Sequence, residues 1–251
     1  MLNLSEPSSA VLWSVQMRKD PVILLNMGVD IINNRENDVI ITQYVQRVSD
    51  SGAIPMLIPS IEKTQIIDTL LDMADGVLLI GGRDYDPADY GEKVHPETMM
   101  NRIRPHFDIA FGKAVLQRRM PVLGICAGCQ LLNIVSGGKL IQHLDNADEH
   151  RNGVCHQAKI EQEGYFSRAL GKSAGEELTV NSFHHQALNP AALGKDFKIT
   201  ATAFDSSIEA IELDSDRMVL GVQFHPERMD DLAPAIFGLL KDEAEKFRSL
   251  R

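Results

Sequence analysis

Short continuous apolar runs alternate along this chain with longer stretches in which apolar residues recur at helical spacing. Val22–Leu25, Ile54–Ile58, Gly76–Ile80 and Val122–Ile125 are the runs, of a length and composition that suit strands buried on both faces. Between them, Val39–Val48, Ile61–Met73 and Phe107–Leu116 place apolar residues three and four apart, which predicts amphipathic helices. Strands alternating with helices imply βαβ units. The expected fold is therefore α/β, a doubly wound and mostly parallel sheet with helices on both faces. The second half is richer in strands, with candidates at Ala158–Ile160, Leu178–Val180, Ile199–Ala203, Ile208–Leu213 and Val219–Val222. Leu232–Phe247 should close the chain as a helix. Residues 1–20 show no clear period and read as an N-terminal extension, leaving 21–251 as one domain.

Composition narrows the partners. With 251 residues, 44% hydrophobic and 24% charged, the chain can bury one sizeable core. Its 25 Lys and Arg against 35 Asp and Glu give a net charge of −10, and no basic cluster stands out. That argues against a nucleic-acid partner. No run reaches the roughly 18 apolar residues of a membrane span. The N-terminus lacks the basic start and apolar core of a secretion signal, so a cytoplasmic protein without a membrane partner is expected.

One segment carries candidate chemistry. Pro121-Val-Leu-Gly-Ile-Cys-Ala-Gly-Cys-Gln130 is an apolar run that stops at Cys126, flanked by Gly124 and Gly128, with a helix-like segment after it. This is the strand, sharp turn and helix of a nucleophile elbow, with cysteine in the serine's place. A thiol at a helix N-terminus feels the dipole and nearby amides, which favour the reactive thiolate. The bland reading is a buried, inert cysteine. A redox or zinc pair at Cys126 and Cys129 is set aside, because no second ligand pair exists. The three cysteines are also too few for a disulfide framework.

The second landmark is Gly221-Val-Gln-Phe-His-Pro-Glu227. His225 follows an apolar strand and is the candidate base; Glu227 is placed to orient its imidazole, giving a Cys-His-Glu triad. A surface histidine at a strand end is the bland alternative. Gly82, just after the strand Gly76–Ile80, and Ala127, after the nucleophile, are candidate oxyanion-hole amides. A plain glycine turn explains Gly81-Gly82 equally well on this feature alone. Asn181-Ser-Phe-His-His-Gln186 reads as a loop lining the substrate pocket. Zinc there is set aside, because adjacent histidines on a strand point to opposite faces and two further ligands are not evident. No metal and no cofactor are expected.

Taken in order, Gly81-Gly-Arg-Asp-Tyr-Asp-Pro87 with Tyr90-Gly-Glu92, Gly124–Gln130, Asn181–Gln186, Glu209-Ala-Ile-Glu212 and Gly221–Glu227 resemble the class I glutamine amidotransferases of the triad type. More closely, they resemble the peptidase C26 group of γ-glutamyl hydrolases. The resemblance implies a flavodoxin-like fold, a catalytic triad of Cys126, His225 and Glu227, and a γ-glutamyl thioester on the cysteine. It places Gln130 against the glutamyl group and the Ser182–Phe183 backbone, with His184 beside it, at the substrate's α-carboxylate. The chain departs from the family pattern at Ala127, where arginine is usual, at Arg104-Pro-His-Phe-Asp108 and at Gln142-His143. These departures bear on the leaving amine more than on hydrolysis. The expected substrate is a small-molecule γ-glutamyl amide, γ-glutamyl-γ-aminobutyrate or a related amine. A glutaminase subunit feeding a separate synthase, and a catalytically inactive binding protein of the same fold, are the alternatives. A homodimer is compatible with the sequence. A rival class, small flavodoxin-like stress proteins with a cysteine elbow, accounts for Cys126 but not for Gly221–Glu227.

Overall fold

The apolar runs become the strands of a nine-stranded sheet. The computed structural model describes residues 19–61, 63–100 and 104–251; most of the expected N-terminal extension, residues 1–18, lies outside them. The strands are β1 (Val22–Asn26), β2 (Gly28–Ile32), β3 (Arg35–Val39), β4 (Ile54–Ile58), β5 (Gly76–Leu79), β6 (Val122–Ile125) and β7 (Leu140–Ile141). They continue with β8 (Val154–Ile160), β9 (Glu177–Ser182), β10 (Ala187–Leu188), β11 (Phe197–Ala203), β12 (Ile208–Leu213) and β13 (Val219–Val222). The helices are α1 (Thr42–Asp50), α2 (Ile67–Asp72), α3 (Arg104–Gln117), α4 (Ala127–Val135), α5 (Tyr165–Leu170) and α6 (Ala233–Ser249).

The sheet runs β4-β1-β5-β6-β13-β12-β11-β8-β9. From β4 to β13 every pairing is parallel; from β13 to β9 every pairing is antiparallel. The strand-rich second half thus extends the same sheet. Alternate residues of β1 show how both faces are covered. Ile23 and Leu25 pack with Tyr44 and Val48 of α1 and Ile236 and Leu240 of α6, whereas Val22 and Leu24 pack with Phe111 of α3 and Leu131 of α4. Burial on both faces is what the unbroken apolar runs require.

Two expectations need correction. The predicted helix Val39–Val48 begins only at Thr42, because Gly28–Val39 folds into the antiparallel hairpin β2–β3. Asn33 and Asn34 turn it with φ of 53° and 59°, the left-handed pair that a two-residue hairpin turn demands. The predicted helix Ile61–Met73 shortens to a 3₁₀ turn at Thr64–Ile66 followed by α2. Helix α5 has no counterpart among the elements that the sequence pattern predicts. The Glu212 carboxylate caps it from β12, accepting from Tyr165 N at 2.7 Å and Phe166 N at 3.0 Å.

Candidate active site

Strands β5, β6 and β13 lie side by side and end at the same edge of the sheet, so the loops that leave them converge. The carboxyl edge of a parallel sheet is where such folds build their sites. Cys126 sits between β6 and α4 with φ 52° and ψ −107°. A non-glycine residue held there costs about 1–3 kcal/mol, which only a rigid surround maintains. The two glycines provide that surround. A Cβ on Gly128 would overlap the carbonyl oxygen of Leu79, and one on Gly124 would come within 2.6 Å of the Gly128 carbonyl oxygen. The elbow is thus a close approach of strand to helix that only hydrogen side chains permit. It is anchored by Cys126 N, which donates to Val222 O at 2.8 Å, and by Gln130 N, which donates to Cys126 O at 3.0 Å.

His225 and Glu227 stand against the cysteine. Nδ1 of His225 lies 2.7 Å from Glu227 Oε1, with the Glu227 side chain wholly buried. A carboxylate there holds the proton on Nδ1 and leaves Nε2 free for other chemistry. Burial pushes the His225 pKa down, but the charge and hydrogen bond of Cys126 and those of Glu227 outweigh it and raise it to about 10. The imidazole therefore favours its protonated form. Gln223 adds a donor to the sulfur, with Nε2 3.6 Å from Cys126 Sγ, while its Oε1 accepts from Gln130 Nε2 at 3.2 Å.

Three neighbours to which the sequence assigned no individual role hold this arrangement. Asn181 grips the His225 backbone twice, accepting from its N–H at 2.8 Å and donating to its carbonyl at 2.9 Å. Tyr44, buried on α1, accepts from Gly81 N at 3.2 Å and lies 3.4 Å from His225 Nδ1. Burial, then the charges of Glu227 and Cys126, push its phenol well above the ordinary value, so it stays protonated. Arg47 Nε donates to the Glu227 carbonyl at 3.0 Å. Asn181 stood inside a quoted motif, but its partner is a backbone forty-four positions away in sequence. Tyr44 and Arg47 read only as helix residues.

A cavity of about 140 Å³ opens over the sulfur, lined by Gly82, Cys126, Gln130, Phe183 and His184 among others. Gly82, Gln130, Phe183 and His184 thus share this cavity with Cys126, and Ala127 opens α4 directly after it. Ser182 is fully buried below the loop, with its hydroxyl on the His150 carbonyl at 2.9 Å. Phe183 packs edge-on against the His225 ring at 5.4 Å and lies under the Arg228 guanidinium at 4.2 Å.

His184 and His185 diverge, although they occupy the loop between β9 and β10 and not a strand. His185 Nε2 meets Asp84 at 3.0 Å on the cavity wall. His184 turns both ring nitrogens inward, Nδ1 to the Gln186 carbonyl at 2.9 Å and Nε2 towards Glu209 at 3.8 Å. Behind it His156 Nε2 meets Glu209 Oε1 at 3.0 Å, and His150 Nε2 meets Asp205 at 3.0 Å. Burial, then the charge of His184, lowers the His150 pKa. These are further chemically capable groups, one layer below the cavity. Among the described residues, no helix is long and apolar enough to cross a membrane.

Comparison with known proteins adds a family. The profile of a family described as Peptidase C26 matches residues 23–227. A Mycobacterium tuberculosis protein, provisionally named a glutamine amidotransferase, is 35% identical over 81% of this chain and 67% of its own length. The γ-glutamyl-γ-aminobutyrate hydrolase of Escherichia coli strain K12 is 26% identical over 83% of this chain and 86% of its own. A Thermoplasma acidophilum structure, described provisionally as one of the subunits of GMP synthase, superposes with a TM-score of 0.65 at 18% identity. The match covers 93% of this chain and 98% of that one, and shows a shared fold.

Proposed function

The chain belongs to the peptidase C26 family, and from that premise we propose that it hydrolyses γ-glutamyl amides through Cys126, His225 and Glu227. The observation that carries this is the buried His225–Glu227 pair at 2.7 Å beside a cysteine on a strained elbow at the N-terminus of α4. Cys126 Sγ attacks the γ-carbonyl carbon, and the negative charge moves onto the carbonyl oxygen. Amides of Gly82 and Ala127 are the donors available for that charge. His225 gives its Nε2 proton to the departing amine, the C–N bond breaks, and a thioester remains. Water then loses a proton to the same nitrogen and attacks the thioester, releasing glutamate and restoring the thiol.

Gln130 and the Phe183 loop line the cavity and contact the glutamyl group. The cavity is small beside the roughly 300–1,000 Å³ of drug-sized sites, which suits a group of amino-acid size. Ala127 replaces a large cationic side chain, so the amine is the least constrained part of the substrate. The experiment is to incubate the protein with a panel of γ-glutamyl amides, glutamine included, and measure released glutamate. Turnover should be present with at least one amide and abolished by Cys126→Ala; near-wild-type activity in that variant would overturn the mechanism.

The same thioester chemistry acting on glutamine also suits a second function, a glutaminase subunit that hands ammonia to a separate synthase. Copurification with a synthase, and glutaminase activity that rises when it is added, would select this function over stand-alone hydrolysis.

A further inference from the structure

We propose that His150, His184 and Glu209 form a binding site for one divalent transition-metal ion of the zinc class, distinct from the catalytic triad. The three side chains come from separate segments: the 3₁₀ turn before β8, the loop after β9, and β12. Their ligand atoms all lie within 4.8 Å of one another, and all three residues are buried. Metal–ligand distances of about 2 Å put the ligand atoms of a tetrahedral ion about 3.4 Å apart. The Glu209 carboxylate already comes within 3.8 Å of His184 Nε2, measured to Oε1, the oxygen that also takes His156.

The arrangement of the other atoms is what points to a metal. His184 commits Nδ1 to the Gln186 carbonyl, so its Nε2 carries the lone pair, and that atom is buried without a hydrogen-bond partner. His150 commits Nε2 to Asp205, leaving the lone pair on Nδ1. Only the Ser182 hydroxyl approaches that atom, at a long 3.4 Å, and it already serves the His150 carbonyl at 2.9 Å. Glu209 takes His156 on Oε1 and keeps Oε2 buried and unpartnered. Each candidate ligand is therefore oriented by an outer partner, a carbonyl, a carboxylate and an imidazole in turn. That is the outer shell which metal-binding histidines and carboxylates ordinarily have. A hydrogen-bonded core network would pair these buried atoms with each other, because an unpartnered buried acceptor is costly. Two imidazoles and a carboxylate suit zinc, with water as fourth ligand.

An ion here would fasten the turn before β8 and the loop after β9 to β12. His184 N already donates to the His150 carbonyl at 2.8 Å, so the two histidine segments are held in register for it. The same loop supplies Phe183 and His185 to the catalytic cavity wall. The site's role is thus to stiffen that wall from behind.

The test is a zinc titration of the full chain after chelation and dialysis, read by calorimetry, thermal melting and X-ray absorption. One Zn²⁺ should bind per chain, with a nitrogen and oxygen shell at about 2.0 Å and no sulfur at about 2.3 Å. At a hundredfold excess over Kd the Tm should rise by roughly 5–10 °C. Both effects should be lost in His150→Gln and in Glu209→Gln that remain folded by circular dichroism. Absence of binding, a sulfur shell that assigns the ion to cysteine, or unchanged binding in the folded variants would each overturn the site. Should Glu209→Gln fail to fold, His150→Gln and the absorption shell decide.

Discussion

Glu227→Gln keeps the shape of a buried side chain and removes its charge. The carboxylate accepts the His225 Nδ1 proton at 2.7 Å, out of contact with water. Burial alone would hold His225 below its ordinary 6.5; Cys126 and Glu227 together bring it to about 10. An opposite charge at this range contributes roughly 1–3 pKa units, so the variant's imidazolium should lose its proton at pH roughly 7–9. The alkaline limb of the pH–rate profile should move down with it. A hydrogen bond to a charged group contributes about 1.5–3 kcal/mol, or roughly 10- to 150-fold in rate. The kcat/KM at neutral pH should fall by that factor. The assay is glutamate release from the best γ-glutamyl amide, measured across pH for both proteins. An alkaline limb that stays in place, with kcat/KM indistinguishable from wild type, would refute the idea that Glu227 holds the imidazolium.

The raised His225 pKa also links stability to pH. A proton kept in the folded state between 6.5 and about 10 contributes stability that is complete below 6.5 and lost as pH rises through about 10. His225→Gln should therefore show a flatter decline of Tm over that window; parallel declines would remove the link. Gly128→Ala must push helix α4 off Leu79 and should destabilise by about 1–3 kcal/mol or more, read from denaturant midpoints. Asn181→Ala strips two hydrogen bonds from the His225 backbone and leaves buried polar groups behind, a cost of about 1–3 kcal/mol. Its kcat should fall with KM little changed, and an unchanged kcat would show that His225 needs no such clamp.

Local signals carried the strands of the main sheet. The runs at β4, β6, β12 and β13 fold within the bounds that their apolar residues set. Cys126, His225 and Glu227, chosen from short motifs, are brought together by adjacent parallel strands. What escaped depends on distant partners. Helix α5 exists because Glu212 reaches its N-terminus from another strand, and Gly164 leaves room for that carboxylate. The histidines at 150, 156 and 184 are separate in sequence, so their meeting in the fold leaves no local signature. Glu209, read only as part of a strand motif, is what gathers His156 and His184 beneath the loop. A hairpin turned by two asparagines was likewise hidden inside a segment whose far end has helical spacing.

The position of β13 has a consequence for how the chain is made. It inserts between β6 and β12 although it follows them both in sequence, and it completes the hydrogen bonding of β6. During synthesis, Val122–Ile125 must therefore wait with one apolar edge open until Val219–Val222 has emerged. An unpaired apolar edge is the feature most prone to join a neighbouring chain. The same wait separates Cys126 from His225. A nascent chain displays the thiol long before His225 exists to stand against it. Insertion of this one strand ends the vulnerable period and brings the two side chains together.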